Sequence, residues 1–131
     1  MKSRPIGRRK RATPVPETAD LNPEDVKIVK LARSTLARTG AEEGAAVRDT
    51  DGRTYTGATV ALPSLALTAL QAAVAAAVAS GARGLEAAAV VSRSGAVDAA
   101  SLAAVRELGP QAPVLLADQR GELYHVLRVA V

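Results

Sequence analysis

The stretch "VDAASLAAVRELGPQAPVLLAD", residues 97–118, decides how the chain is read. Asp98 and Ser101 stand three apart at its head, where a helix needs a cap for its unpaired backbone N–H groups. Leu102, Val105 and Leu108 follow at helical spacing, and Gly109-Pro110 is a double stop signal. "APVLLAD" (112–118) then runs apolar without alternation, as an interior strand does. A helix feeding directly into a buried strand is half of a βαβ unit. The other half lies just upstream, where "LEAAAVVS" (85–92) is a second short apolar run.

Further upstream, "LALTALQAAVAAAVAS" (65–80) reads as a helix that Ser64 caps and Gly81 closes. It is apolar nearly all round, with Gln71 the main exception, which predicts a helix covered on several sides. "GAAVRDTDGRTYTGATV" (44–60) reads as a hairpin. Asp51-Gly52 supplies the turn, with strands over 46–50 and 53–59. The first helix starts at Asn22 as N-cap and Pro23 at the first helical position, with Glu24 and Asp25 in its first turn. Val26, Val29, Leu31 and Leu36 line one side, and it ends near Gly40. "GELYHVLRVAV" (121–131) reads as a last strand. Parallel pairing is expected through the βαβαβ half. The order predicts a three-layer α/β/α sandwich around a mixed five-stranded sheet.

Bulk properties fit one domain, over residues 21–131, preceded by a basic tail over 1–20 that is expected to be disordered when alone. The chain has 131 residues, 48% hydrophobic but only 2% aromatic, so Ala, Val and Leu must make the core. Its 13 arginines against four lysines, with abundant alanine, hint at a GC-rich bacterial source. There is no cysteine, which excludes a disulfide, an iron–sulfur cluster, a thiolate zinc site and a cysteine nucleophile. The net charge of +4 is unevenly placed. Lys2, Arg4, Arg8, Arg9, Lys10 and Arg11 give the first eleven residues +6, and the rest carries −2.

Such a tail suits phosphate contact without sequence readout, so RNA or another polyanion is one expected partner. A solubilising extension is the plainer alternative. With no aromatic in the tail, base stacking is not expected. No apolar run follows the basic start, and the uncharged stretch 54–82 is broken by Pro63 and diluted by small residues. A cytoplasmic protein without a membrane span is therefore expected.

Three stretches together resemble the small cytidine deaminase family: the hairpin 44–60, the helix "ALQAAVAAAVASGA" (69–82) and "VRELGPQAPVLLADQRGEL" (105–123). The likeness spans about residues 24–125. It implies hydrolytic removal of the cytosine amino group by a zinc-activated water, with a Glu moving protons. It also implies assembly into dimers or tetramers. Counted onto this chain, the first zinc ligand falls at Leu70 and the proton-shuttling Glu at Ala72. The two cysteine ligands fall at Asp98 and Ser101, the nucleoside-binding Asn and Glu at Thr59 and Ala61, and the aromatic over the base near Ala41. None of these positions keeps the family's residue.

The expectation is therefore a degenerate member that has lost zinc and acts by interaction, with no cofactor. Asp98 is expected to cap its helix by accepting from the N–H near Ser101. The alternatives are a deaminase by similarity and a small-molecule sensor whose pocket Leu70, Ala72, Thr59 and Ala61 line. His125, the single histidine, reads as structural. Gln71 either faces the former pocket or satisfies a backbone group. Glu86, Arg93, Arg106 and Glu107 read as rim charges, and "GARG" (81–84) as a turn rather than a phosphate loop.

Overall fold

The computed structural model describes residues 21–128. The basic tail and residues 129–131 of the expected last strand lie outside them. In chain order the elements are α1 (Pro23–Thr39), β1 (Glu43–Asp49), β2 (Thr54–Ala58), β3 (Val60–Leu62), β4 (Leu65–Leu67), α2 (Ala69–Ala79), β5 (Leu85–Ser92), α3 (Ala99–Leu108), β6 (Val114–Ala117) and β7 (Leu123–Leu127). Five strands form one mixed sheet in the order β2-β1-β5-β6-β7. The expected three layers are present: α1 covers one face, and α2 with α3 covers the other.

The parallel character is narrower than the sequence implied. β5 and β6 pair in parallel, whereas β1–β2, β1–β5 and β6–β7 are antiparallel. The reason is positional. The crossover from β2 through α2 arrives on the far side of β1, so β2 and β5 never become neighbours. A tight turn at Asp118–Gly121 then folds β7 straight back on β6.

The start of α2 also differs. Ser64 lies in the turn of a small separate hairpin, β3–β4, rather than capping a helix. Thr68 caps instead, because Gln71 stands three residues on and completes a capping box. Thr68 Oγ1 accepts from Gln71 N at 3.1 Å, and Gln71 Oε1 accepts from Thr68 N at 2.9 Å. From Ser64 the equivalent position is Leu67, which has no acceptor to return. Nor is α2 enclosed all round: Val78 is 53% exposed, on a side shared with Ala75 and Ala79.

Small residues let the layers close. Alternate residues of β5 serve the two faces, with Ala87, Ala89 and Val91 against α1 and Ala88 and Val90 against α2 and α3. Ile28, Val29, Ala32 and Leu36 are the buried stripe of α1, while Val26 and Leu31 are only partly covered. Two glycines mark the nearest approaches. A Cβ on Gly44 would strike the α1 backbone at Ala32 and Leu36, and one on Gly57 the α2 backbone at Ala69 and Ala73.

Asp49, buried where β1 bulges, holds the hairpin. Its Oδ1 accepts from the N–H of Asp51 and of Arg53, both at 2.9 Å, and its Oδ2 from the Tyr55 hydroxyl at 2.7 Å. Burial alone would raise its pKa, but these donors outweigh burial and hold the carboxyl below its ordinary range.

Gly57→Ala is expected to cost about 1–3 kcal/mol in urea unfolding, since α2 must lift off β2 to admit the methyl. Thr56→Ser, one residue away on the exposed side, is expected to change stability by less than about 0.5 kcal/mol.

Candidate functional site

The helices α2 and α3 begin at the same place. Asp98 caps α3, with Oδ1 accepting from Ala100 N at 2.8 Å, one residue earlier than the sequence suggested. Ser101, 1% exposed, is turned away from its own cap. Its hydroxyl donates across to Thr68 Oγ1 at 2.6 Å, tying the start of α3 to the cap of α2.

A pocket of about 470 Å³ opens beside this junction. The β3–β4 hairpin forms one wall with Val60, Ala61, Ala66 and Leu67. The helix starts contribute Thr68, Gln71, Asp98 and Ala100, and the entry to β1 contributes Glu42 and Glu43. Thr59 also lines it, with Oγ1 accepting from Glu43 N at 3.0 Å. Among the described residues, three carboxylates therefore face the pocket, and no Lys, Arg or His does.

Glu43 is the residue the sequence reading passed over. Burial pushes its carboxyl above the ordinary 4.5. The Ala69 N–H at the start of α2 works against that shift, and the charges of Asp98 and Glu42 reinforce it. The signal was a Glu42-Glu43 pair just ahead of the hairpin, but only the packing of α2 against β1 shows that one of the two turns inward.

The former-site positions separate into two groups. Thr59, Ala61 and Asp98 line the pocket. Leu70 is fully buried in the core beneath α2, and the Ala72 methyl sits against Gly57, so neither contributes to the wall as the sensor reading supposed. Ala41 is outside the lining, and its carbonyl accepts from Arg93 Nε at 3.2 Å. Gln71 does both things open to it, since it lines the pocket and returns the cap bond.

Two supposed rim charges have partners of structural weight. Arg93 also reaches Gln119 at 3.0 Å. Glu86 accepts from the Nε of buried Arg48 at 2.8 Å, while Arg48 NH1 lies 3.0 Å from Asp25. These two ion pairs, which share Arg48, join α1, β1 and β5. His125 is exposed on β7.

The arrangement defines a three-layer α/β/α domain with a pocket at a pair of helix starts. The match to the cytidine deaminase-like family model over residues 21–121 identifies it further: the chain belongs to that family. Among solved structures it is similar to cytidine deaminase from Burkholderia pseudomallei, at 25% identity and a TM-score of 0.68, over 78% of this chain and 90% of that one. The enzyme from Mycobacterium leprae aligns at 24% identity and 0.65, covering 83% and 94%. That from Mycobacterium tuberculosis aligns at 28% and 0.59, covering 67% and 80%. No curated protein matches the sequence significantly. Among the described residues, no helix is long and apolar enough to cross a membrane.

The zinc implied by the family resemblance can be tested against the side chains at its positions. Leu70 is hydrocarbon and sealed in the core. The Ser101 hydroxyl is spent on Thr68, and one Asp98 oxygen is spent on its cap. These residues do not fit a tetrahedral zinc, which takes thiolate, imidazole or carboxylate donors that converge. Among the described residues, no group of three His, Asp or Glu side chains is placed to hold a metal ion.

Glu43→Gln is expected to raise the melting temperature at pH 7, since the neutral amide keeps the Ala69 contact without a half-buried charge. The folded carboxyl titrates above its unfolded value. Wild-type stability from this group is thus full below the ordinary 4.5 and is lost as pH rises through the raised value. The advantage of the variant should vanish at pH 4; equal melting temperatures at both pH values would contradict the assignment.

Proposed function

We propose that this protein is a cytidine-deaminase-like pseudoenzyme, which keeps the family's fold and pocket and works through interaction with RNA or a protein partner. One observation carries the reading. The positions that the resemblance assigns to zinc and to the proton shuttle hold a sealed leucine (Leu70), a methyl (Ala72), a helix cap (Asp98) and a hydroxyl engaged with Thr68 (Ser101). Hydrolytic deamination in this family uses an activated water and a base on the first of those helices. Neither Leu70 nor Ala72 supplies such a group.

The partner side of the proposal has its own support. Homo-oligomerisation, as a dimer or tetramer, is supported by exposed Leu62, Leu65 and Val78 within a run, 54–82, that carries no charge. A polyanion partner is supported by the +6 of Lys2, Arg4, Arg8, Arg9, Lys10 and Arg11. If tails are brought together in an oligomer, their effective concentration on one polyanion rises.

Hydrolytic deamination of a cytosine nucleoside is the second reading. Family membership and the likeness to cytidine deaminases support it, as does a pocket lined by Glu43, a carboxyl whose pKa burial pushes above its ordinary value. A sensor for a small molecule is the third, supported by the pocket's volume.

The three are separated by incubating the full-length protein with cytidine and deoxycytidine, reading ammonia release and the melting temperature together. The pseudoenzyme reading expects neither to move. Ammonia release above the buffer rate would establish the deaminase reading. A rise in melting temperature without turnover would establish the sensor, because only a ligand that prefers the folded state stabilises it.

A further inference from the structure

The outer side of α1 has a character that neither the pocket nor the family match accounts for. Lys27, Lys30, Arg33 and Arg38 are all exposed there, and none of them pairs with a carboxylate among the described residues. Lys27, Lys30 and Arg33 follow at steps of three, so neighbouring charges lie side by side along the helix. The acids nearby are few, and two are engaged. Asp25 is held by Arg48, and Asp118 accepts from the N–H of Arg120 and of Glu122. Glu24 at the helix start and Glu122 in the turn remain exposed.

The turn after β6 brings a further cation to this face. Gly121, at φ 86°, leaves room for the Arg33 stem: the Arg33 Cδ lies 3.0 Å from where a Cβ would stand. Val26, Val29, Lys30, Arg33, Arg120 and Gly121 surround a hollow of about 130 Å³, apolar at its base and cationic at its rim. A water takes about 30 Å³, so a phosphate group has room there. Arg120 is 81% exposed and its contact with Asp118 is 3.9 Å long, too loose to neutralise it.

Polarity along the chain points the same way. The +6 segment ends at Arg11, and eleven residues separate it from the start of α1 at Pro23. The sequence therefore holds a second concentration of positive charge shortly before this helix. No large apolar side chain is exposed on α1, which disfavours insertion into a bilayer. No aromatic stands on the face either, so contact goes to phosphates rather than to stacked bases.

We propose that the outer face of α1, with the Lys30–Arg33–Arg120 hollow, binds the phosphate backbone of RNA. The choice of partner rests on the polyanion reading given under Proposed function; the location on α1 rests on the geometry alone. Binding is sequence-independent and strongly weakened by salt.

The test is fluorescence anisotropy of a labelled 20-nucleotide oligouridine with full-length protein across a potassium chloride series. Three variants accompany wild type: K27Q/K30Q/R33Q/R120Q on the face, the smaller R33Q/R120Q, and K2Q/R4Q/R8Q/R9Q/K10Q/R11Q in the tail. Each salt-sensitive phosphate contact on a single strand contributes about 0.7 to the slope of log K against log salt. The face variant is expected to bind at least about tenfold more weakly at low salt, with a slope shallower by about 2 to 3. R33Q/R120Q should lose about half of that slope, and it serves as the readout if the larger variant melts early. Wild-type affinity and slope in the face variants, with binding lost in the tail variant, would overturn the α1 site and leave the tail reading standing. No binding by wild type would overturn both. Binding to phosphatidylserine vesicles that needs the face, with RNA binding that does not, would overturn the choice of RNA.

Discussion

The hydrogen bond from Ser101 to Thr68 joins two helices at their first turns, and the rest of the pocket is arranged around that joint. Thr68 accepts from Ser101 and from the backbone of Gln71, so one hydroxyl both starts α2 and fixes α3 against it. Asp98 then caps α3 at the pocket rim, and Glu43 enters from β1 against the first N–H of α2. Two helix N-termini carry partial positive charge, which the carboxylates at the rim partly balance. A junction made of hydroxyls and backbone satisfies its own polar groups. Among the described residues, no three His, Asp or Glu side chains are grouped so as to hold a metal ion.

Close approach of the layers is the second constraint. With almost no aromatic residues, the chain fills its core with Ala, Val and Leu. It gains contact by letting helix backbones sit almost on the sheet at Gly44 and Gly57. Ala72 takes part in this: its methyl is among the atoms that a Cβ on Gly57 would strike. A small side chain at that position and the tight seat of α2 on β2 are consistent parts of one packing solution. On the opposite face of the sheet the same economy leaves the outside of α1 free to carry charge.

Much of this was legible in the sequence, and for local reasons. Asn22-Pro23, Asp51-Gly52 and Gly109-Pro110 are punctuation that the backbone obeys wherever it occurs, and β5 fell on 85–92 because an uninterrupted apolar run has few other destinations. Ser64 misled because both it and Thr68 are good caps in isolation; the reciprocal bond of Gln71 decided between them. The inward turn of Glu43, the partnership of Glu86 with Arg48, and the assembly of Arg33, Arg120 and Gly121 were out of reach. Each depends on elements far apart in the chain meeting at a particular register. The antiparallel return of β7 follows from the turn at Asp118–Gly121, which is too short for the crossover that a parallel neighbour needs.

On the proposed reading, the Ser101–Thr68 hydrogen bond holds the paired helix starts together and no metal is needed. That reading is tested most directly by measuring zinc in the purified protein by elemental analysis and its melting temperature before and after treatment with a strong zinc chelator. The expected result is zinc far below one equivalent per chain and a melting temperature that the chelator leaves unchanged. One equivalent of zinc, with a melting temperature that falls on its removal, would contradict it and place a metal site where the hydroxyl junction has been drawn.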